Sequence, residues 1–195
     1  SEEMKEYWQI LTSELNRQKV LIDRLLMAGR LESGMMILER IPIRLHSVLH
    51  ESLMAVKPIA DKRGVSIQLS PEESSVIILG DRGGLQQVFI NLINNAVKFS
   101  PKEGTVTVEV TANEDEAFIR IVDQGMGIPS EAMAHLFERF YRAKNITVAE
   151  IPGSGIGLFI VKSILEDLGG TISVNSELNN GTTFTVSLKC MKPEI

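Results

Sequence analysis

Three short stretches carry the residue types that chemistry needs. The first is Asn91-Leu-Ile-Asn94-Asn95-Ala-Val-Lys98-Phe99. Asn91 and Asn95 are four apart, so on a helix they share one face, with Lys98 next along it. Amides on the edge of an otherwise apolar helix are costly to bury without partners. Their neutral oxygens suit Mg²⁺ that keeps several waters and takes its counter-charge from phosphates. A helix edge with solvated amides would have the same sequence. The second stretch is Ile121-Val-Asp123-Gln-Gly125-Met-Gly127-Ile. Here an acidic residue ends an apolar run, and two glycines let a ligand approach the backbone. The Asp123 carboxylate can accept from an exocyclic amine; a plain turn is the other reading. The third, Gly153-Ser-Gly155-Ile-Gly157-Leu158, runs straight into a helical pattern. Backbone amides at a glycine-rich helix start form an anion cradle, assisted by the helix dipole. The stretch is not the dinucleotide-binding fingerprint, because no βαβ unit frames it, nor the phosphate loop that ends in GK[ST].

Other reactive side chains are sparse. His46 and His50 are four apart, but Ser47 breaks an HExxH pattern and no third ligand is evident. Solvated or hydrogen-bonded histidines are expected there, and a structural role is expected for His135. Cys190 is the one cysteine, which excludes a disulfide framework and a cysteine-rich metal site. It reads as a thiol in a reducing compartment.

The elements that must position these residues follow from periodicity. In residues 2–32, Met4, Trp8, Leu11, Leu15, Gln18, Ile22 and Leu25 step by 4 and 3, a heptad seam with one polar break. Such a helix is about 45 Å long, and its seam calls for another helix; an ordinary amphipathic helix packed on its own domain is the other reading. Residues 33–42 read as a linker punctuated by Gly34 and Pro42. A helical pattern covers 43–63, with Pro58 expected to kink or fray it. Strands are expected at 65–70 and 76–79, then a helix capped by Asp81 that ends by Ser100-Pro101. Strands at 105–111 and 117–122 flank a polar turn. A short helix near 130–136 has Ser130 as its expected cap. Residues 142–154 are polar and irregular, a lid by composition. A helix over 156–168 ends at Gly169-Gly170, and strands at 171–175 and 182–188 follow. This order lacks regular βαβ alternation, so a doubly wound parallel sheet is disfavoured. It predicts an α+β fold, a two-layer sandwich with a mixed sheet covered on one face by helices, preceded by one long coiled-coil-like helix.

Size and charge agree. At about 150 residues per domain, 195 residues hold one full domain plus something smaller. A net charge of −5 argues against nucleic acid or an anionic membrane surface as the main partner. No apolar run approaches the ~18 residues a membrane span needs.

In this order, with Phe137-Glu-Arg-Phe140-Tyr-Arg142 between the last two, the three stretches resemble the N, G1, F and G2 boxes of the ATP-binding catalytic domain of sensor histidine kinases. That family is related to gyrase B, the MutL repair proteins and the ninety-kilodalton heat-shock chaperones. The boxes fall at 91–99, 123–127, 137–142 and 153–158, and the likeness spans about 44–190. Residues 1–32 resemble the second helix of the family's dimerisation hairpin, 33–42 the linker, 43–190 the catalytic domain and 191–195 a tail.

The resemblance implies ATP and Mg²⁺ as cofactors. It would place Mg²⁺ on Asn95, with Asn91 beside it on the phosphates. Lys98 and Arg142 would reach the phosphate end, and Asn91, Lys98 and Arg142 would be the catalytic set. Asp123 would take the adenine amino group, with Phe99, Gly125 and Gly127 lining the base. Gly153, Gly155, Gly157 and Leu158 would form the phosphate cradle, and Thr182 would support the adenine pocket. Gln124 departs from the family's usual small polar residue without disturbing the Asp-x-Gly-x-Gly frame. Relatives that hydrolyse ATP to drive a clamp carry Glu at the position of Asn91, as general base for water. Asn cannot take that proton, which favours a kinase. The family's acceptor box, resembling Ser-His-Glu-Leu-Arg-Thr-Pro, is absent, and His50-Glu51 lacks its Arg-Thr-Pro continuation. The expectation is therefore a kinase head whose acceptor histidine lies outside this chain. A response regulator and a homodimer through the N-terminal helix are the implied partners, with no membrane contact from this stretch. The implied location is cytoplasmic, the parent protein being either soluble or membrane-anchored. The alternatives are a non-enzymatic nucleotide-sensing or dimerisation module and an ATP-hydrolysing clamp.

Overall fold

A computed structural model of the chain describes residues 2–70, 76–143 and 153–191. It divides into two compact units, Ser1–Met36 and Ile37–Ile195. The first is dominated by helix α1 (Glu2–Glu32). Its seam is open to solvent: Met4, Trp8, Leu11, Leu15 and Ile22 are all exposed. The helix closes at Gly34, whose φ of +64° is the left-handed geometry that glycine adopts without a Cβ penalty. There the Met35 amide donates to Arg30 O at 3.0 Å.

In the second unit the chain does not stay a linker up to Pro42. Ile41–Arg44 is a strand, β1, and helix α2 begins at Leu45, two residues later than its periodicity suggests. β1 pairs antiparallel with β3 (Ile77–Gly80), with Ile43 opposite Ile78. A strand whose partner lies more than thirty residues on carries no local signature, and Pro42 at a sheet edge is tolerated. Helix α2 (Leu45–Arg63) runs through Pro58 and is capped by left-handed Gly64. β2 (Ser66–Leu69) follows.

Helix α3 (Arg82–Phe99) is capped as expected: Asp81 Oδ1 accepts from the Gly84 amide at 2.7 Å. Asp81 does a second job, since its Oδ2 accepts from the Glu39 amide at 3.1 Å. The Arg40 guanidinium donates to Asp167 O near the end of helix α5 (Gly157–Leu168). Residues 39 and 40 are thereby tied to the two helices that carry the N and G2 boxes.

The main sheet has the order β2-β4-β5-β7-β6, with β4 Thr105–Ala112, β5 Glu116–Asp123, β6 Thr171–Ser176 and β7 Thr182–Lys189. β2 pairs parallel with β4, and the other neighbours are antiparallel. It is the mixed sheet the element order implied. Alternation on β4, β5 and β7 turns Val106, Val108, Ile119, Ile121, Phe184 and Val186 to one buried face. The apolar stripes of α3 (Leu85, Val88, Phe89, Leu92) and α5 (Ile160, Val161, Ile164, Leu165) are equally buried. Helix α4 is one turn, Ser130–Met133; Ser130 is its first residue and Pro129 its cap position, without a side-chain hydrogen bond. A proline ahead of a single turn fixes the entry, so Ser130 is not needed as a cap.

Candidate functional site

Asp123 is the last residue of β5 and pairs directly with Thr182, the first of β7; Thr182 in turn pairs with Ser176, the last of β6. Three strand ends therefore bring their side chains to one edge of the sheet. Asp123 is 6% exposed. Its Oδ1 accepts from the Gly125 amide at 2.8 Å and the Thr182 amide at 3.2 Å. Burial pushes the carboxyl up from the ordinary aspartate range, and the two amide bonds pull it back. With Oδ1 committed twice, Oδ2 is the acceptor left for a ligand.

The glycines beside it are there for close approach. A Cβ on Gly125 would sit 2.5 Å from Phe99 O, joining the G1 turn to the end of α3. Gly127 has φ +68°, and a Cβ there would lie 2.0 Å from Glu177 O. That carbonyl belongs to the β6–β7 turn, which also donates from the Asn179 amide to Met126 O at 2.7 Å.

At the other end, Asn91 is 5% exposed, and among the described residues its Nδ2 has no hydrogen-bond partner. The amide is thus buried rather than solvated. An orphaned buried donor is costly and marks a place where a partner is missing. Asn91 Oδ1 lies 3.2 Å from where a Cβ on Gly157 would be, so the N box meets the first turn of α5. Ile156, at the cap position of α5, offers no side-chain cap. The Ile156 amide donates to Ser154 Oγ at 3.4 Å, and no side chain at the cap position closes the first turn of α5, a helix start of the kind that binds anions. Lys98 Nζ sits 4.9 Å over the Phe99 ring and 2.8 Å from where a Cβ on Gly153 would be. Asn95, half-buried, lies one turn beyond Asn91 on the same face. Among the described residues no group of three His, Cys, Asp or Glu side chains could hold a metal alone. A metal here would have to arrive with a phosphate-bearing ligand, which the neutral amides, Lys98 and the bare helix start all fit.

The F box closes the site's rim. Phe140 adopts φ +64°, an outlier for an aromatic residue. It is held by its amide, which donates to Gly155 O at 3.0 Å. Gly155, itself at φ +70°, has no room for a Cβ against Phe140 and Tyr141. His135 Nδ1 and Glu138 Oε1 are 2.7 Å apart, and the His135 ring lies against Tyr141, in keeping with a structural role. Arg142 is exposed at the start of the expected lid; residues 144–152 of that lid lie outside the described residues.

The N, G1 and G2 boxes and Thr182 thus converge, and the F box joins them through Gly155. Leu158 is half-buried in the first turn of α5. One participant went unread: Ser176, whose Oγ contacts Gly181 O, Thr182 Oγ1 and the Ile128 amide. Its only sequence signal is its place before the polar turn Glu-Leu-Asn-Asn-Gly, and that marks a hairpin rather than a site.

Residues 80–192 match the family described as histidine kinase-, DNA gyrase B- and HSP90-like ATPase. Among curated proteins the chain is 33% identical to sporulation kinase A of Bacillus subtilis, over 93% of this chain and 28% of that protein. It is 31% identical to the sensor protein SrrB of Staphylococcus aureus, over 99% of this chain and 33% of that protein. The chain therefore spans about a third or less of these relatives. Among solved structures, a mycobacterial sensor histidine kinase, MprB, aligns with a TM-score of 0.66 and 30% identity, over 80% of this chain and 99% of that one. Full-length ShkA in complex with AMPPNP aligns with a TM-score of 0.86 and 26% identity, over 99% of this chain and 40% of that one.

Proposed function

The chain belongs to the family of histidine kinase-, DNA gyrase B- and HSP90-like ATPases, as an ATP-binding catalytic head of the sensor-kinase type, and on that premise we propose that it transfers the γ-phosphate of ATP to a histidine on a dimerisation helix outside this chain. The observation that carries the proposal is Asn91. It is a buried amide at the phosphate end, against the start of α5, where an ATP-hydrolysing relative would need a carboxylate base. A site without a base for water suits transfer to a nucleophile that is good in its own right, and imidazole is one.

The proposed roles are those the family resemblance implies. Asp123 Oδ2 accepts from the adenine amine, Gly125 and Gly127 admit the base, and Phe99 lines it. Asn91, Lys98, Arg142 and the amides of Gly153, Gly155, Gly157 and Leu158 hold the phosphates. Mg²⁺ on Asn95, when bound, supplies neutralisation of the phosphate charge. The γ-phosphorus–oxygen bond to ADP breaks as the bond to the imidazole nitrogen forms, and the head's share is positioning and charge neutralisation. The exposed seam of α1 supports a homodimer through this helix in the intact protein, and the kinase relatives support a response regulator as the next acceptor.

Calorimetric titration with a non-hydrolysable ATP analogue, with and without Mg²⁺, tests the site. Magnesium-dependent binding that Asp123→Ala abolishes is the expected result. Absence of binding in the unaltered chain would leave a dimerisation scaffold as the function.

A further inference from the structure

Helices α2 and α5 each end on a left-handed glycine, Gly64 and Gly169, whose amides fold back onto last-turn carbonyls. Helix α3 ends without one. Ser100, at its cap position, is extended, and its amide donates to Ala96 O at 3.0 Å. Pro101 is next and has no N–H, so the ladder stops there. The carbonyls of the last turn need donors from elsewhere. One comes from α2: Arg63, the last residue of that helix, donates from Nη2 to Lys98 O at 2.8 Å. Main-chain contacts carry Arg63 to that place. The Glu103 amide donates to Gly64 O at 2.8 Å and the Ser66 amide to Gly104 O at 2.9 Å, so the chain leaving α2 is laced to the chain leaving α3.

We infer that Arg63 is a positioning residue for the phosphate end of the nucleotide: it holds the Lys98 peptide and through it aims the Lys98 ammonium. Lys98 and Phe99 close the helix together, with Lys98 Nζ 4.9 Å over the Phe99 ring. Phe99 has a hold of its own, because its carbonyl lies against the Gly125 turn, too close for a Cβ there. Lys98 has the Arg63 bond on its carbonyl. A cation at this helix end also complements the helix dipole. The Lys98 ammonium sits at the end of a long flexible stem, so a small swing of the peptide moves the charge by more, and misplaced groups lose much of their effect. Arg63 lies on a helix that carries none of the four boxes. Its sequence context, Asp61-Lys62-Arg63-Gly64, reads as an ordinary charged helix end. The inference rests on the proposed role of Lys98 at the phosphates.

The test is the affinity for a non-hydrolysable ATP analogue with Mg²⁺, measured by calorimetry. The proteins compared are the unaltered chain, Arg63→Ala, Arg63→Lys, Lys98→Ala and the Arg63→Ala/Lys98→Ala pair. Arg63→Ala should weaken binding about three- to tenfold, the loss of one exposed hydrogen bond. Arg63→Lys keeps a cationic donor and should recover most of that loss. In the Lys98→Ala background the Arg63→Ala change should cost less than about twofold, because the group it positions is gone. The same factor in both backgrounds would make Arg63 a plain helix cap and overturn the inference, and unchanged affinity in Arg63→Ala would overturn it as directly. If Arg63→Ala fails to fold, Arg63→Met, which keeps the aliphatic stem, takes its place with the same expectations. Analogue binding that ignores Lys98→Ala is a different result: it sinks the phosphate role of Lys98, and the inference with it.

Discussion

Replacing Asp123 with Asn changes one atom of consequence. Asn can keep its Oδ1 on the Gly125 and Thr182 amides at 2.8 and 3.2 Å, and the NH₂ then takes the place of Oδ2. The adenine amine loses a charged acceptor and meets a donor. A hydrogen bond to a charged group contributes about 1.5–3 kcal/mol, so ATP affinity should fall by about tenfold to over a hundredfold. Stability should move the other way. Burial raises the Asp123 pKa in the folded state. A raised folded pKa means its contribution is present below the ordinary aspartate range and is lost as pH rises through the folded value. At neutral pH the ionised carboxylate therefore opposes folding of the nucleotide-free protein, and Asp123→Asn removes that opposition. Thermal unfolding without nucleotide should show the variant melting at or above the unaltered chain. Its melting point should also fall less as pH rises through and above the aspartate range. A variant that melts lower and still binds ATP normally would refute both halves of the reasoning.

Other substitutions separate site from scaffold. Gly127→Ala puts a methyl 2.0 Å from Glu177 O at a positive φ, and should cost well over about 1 kcal/mol in denaturant unfolding. Asp81→Ala removes a helix cap and the Glu39 anchor together, and should cost about 1–2 kcal/mol, a drop of several degrees in melting temperature. Gly157→Ala improves helix propensity but presses on the Asn91 amide at 3.2 Å, so nucleotide affinity in titration should drop while the melting point holds. Leu15→Lys on the exposed seam of α1 should abolish concentration-dependent self-association in sedimentation while leaving nucleotide binding intact.

What was legible in the sequence was whatever a local pattern could carry. The α3 helix announced itself by an apolar stripe and by Asp81 at its cap, and α5 by a glycine-rich start and Gly169 at its end. The N, G1 and G2 boxes could be read because their glycines and amides sit within a few consecutive residues. β1 was missed because its stability comes from pairing with β3, far along the chain, and Pro42 reads as punctuation locally. Ser176 was missed for a related reason. Its three contacts come from a turn, a neighbouring strand end and a residue 48 positions away, and a single serine before a hairpin carries no trace of them. The burial of Asn91 was hidden as well, since four-residue spacing fixes a shared face but not what covers it.

Transfer itself is the most direct test. The chain would be incubated with Mg²⁺ and ATP labelled at the γ-phosphate, together with a separate dimerisation hairpin carrying the acceptor histidine. The expected result is label on the hairpin that is labile in acid and stable in base, as a phosphorus–nitrogen bond requires, and that falls sharply with Asp123→Asn at ATP concentrations below saturation. Release of inorganic phosphate at the same rate with or without the hairpin, and no labelled protein, would contradict it and make the chain an ATP-hydrolysing clamp.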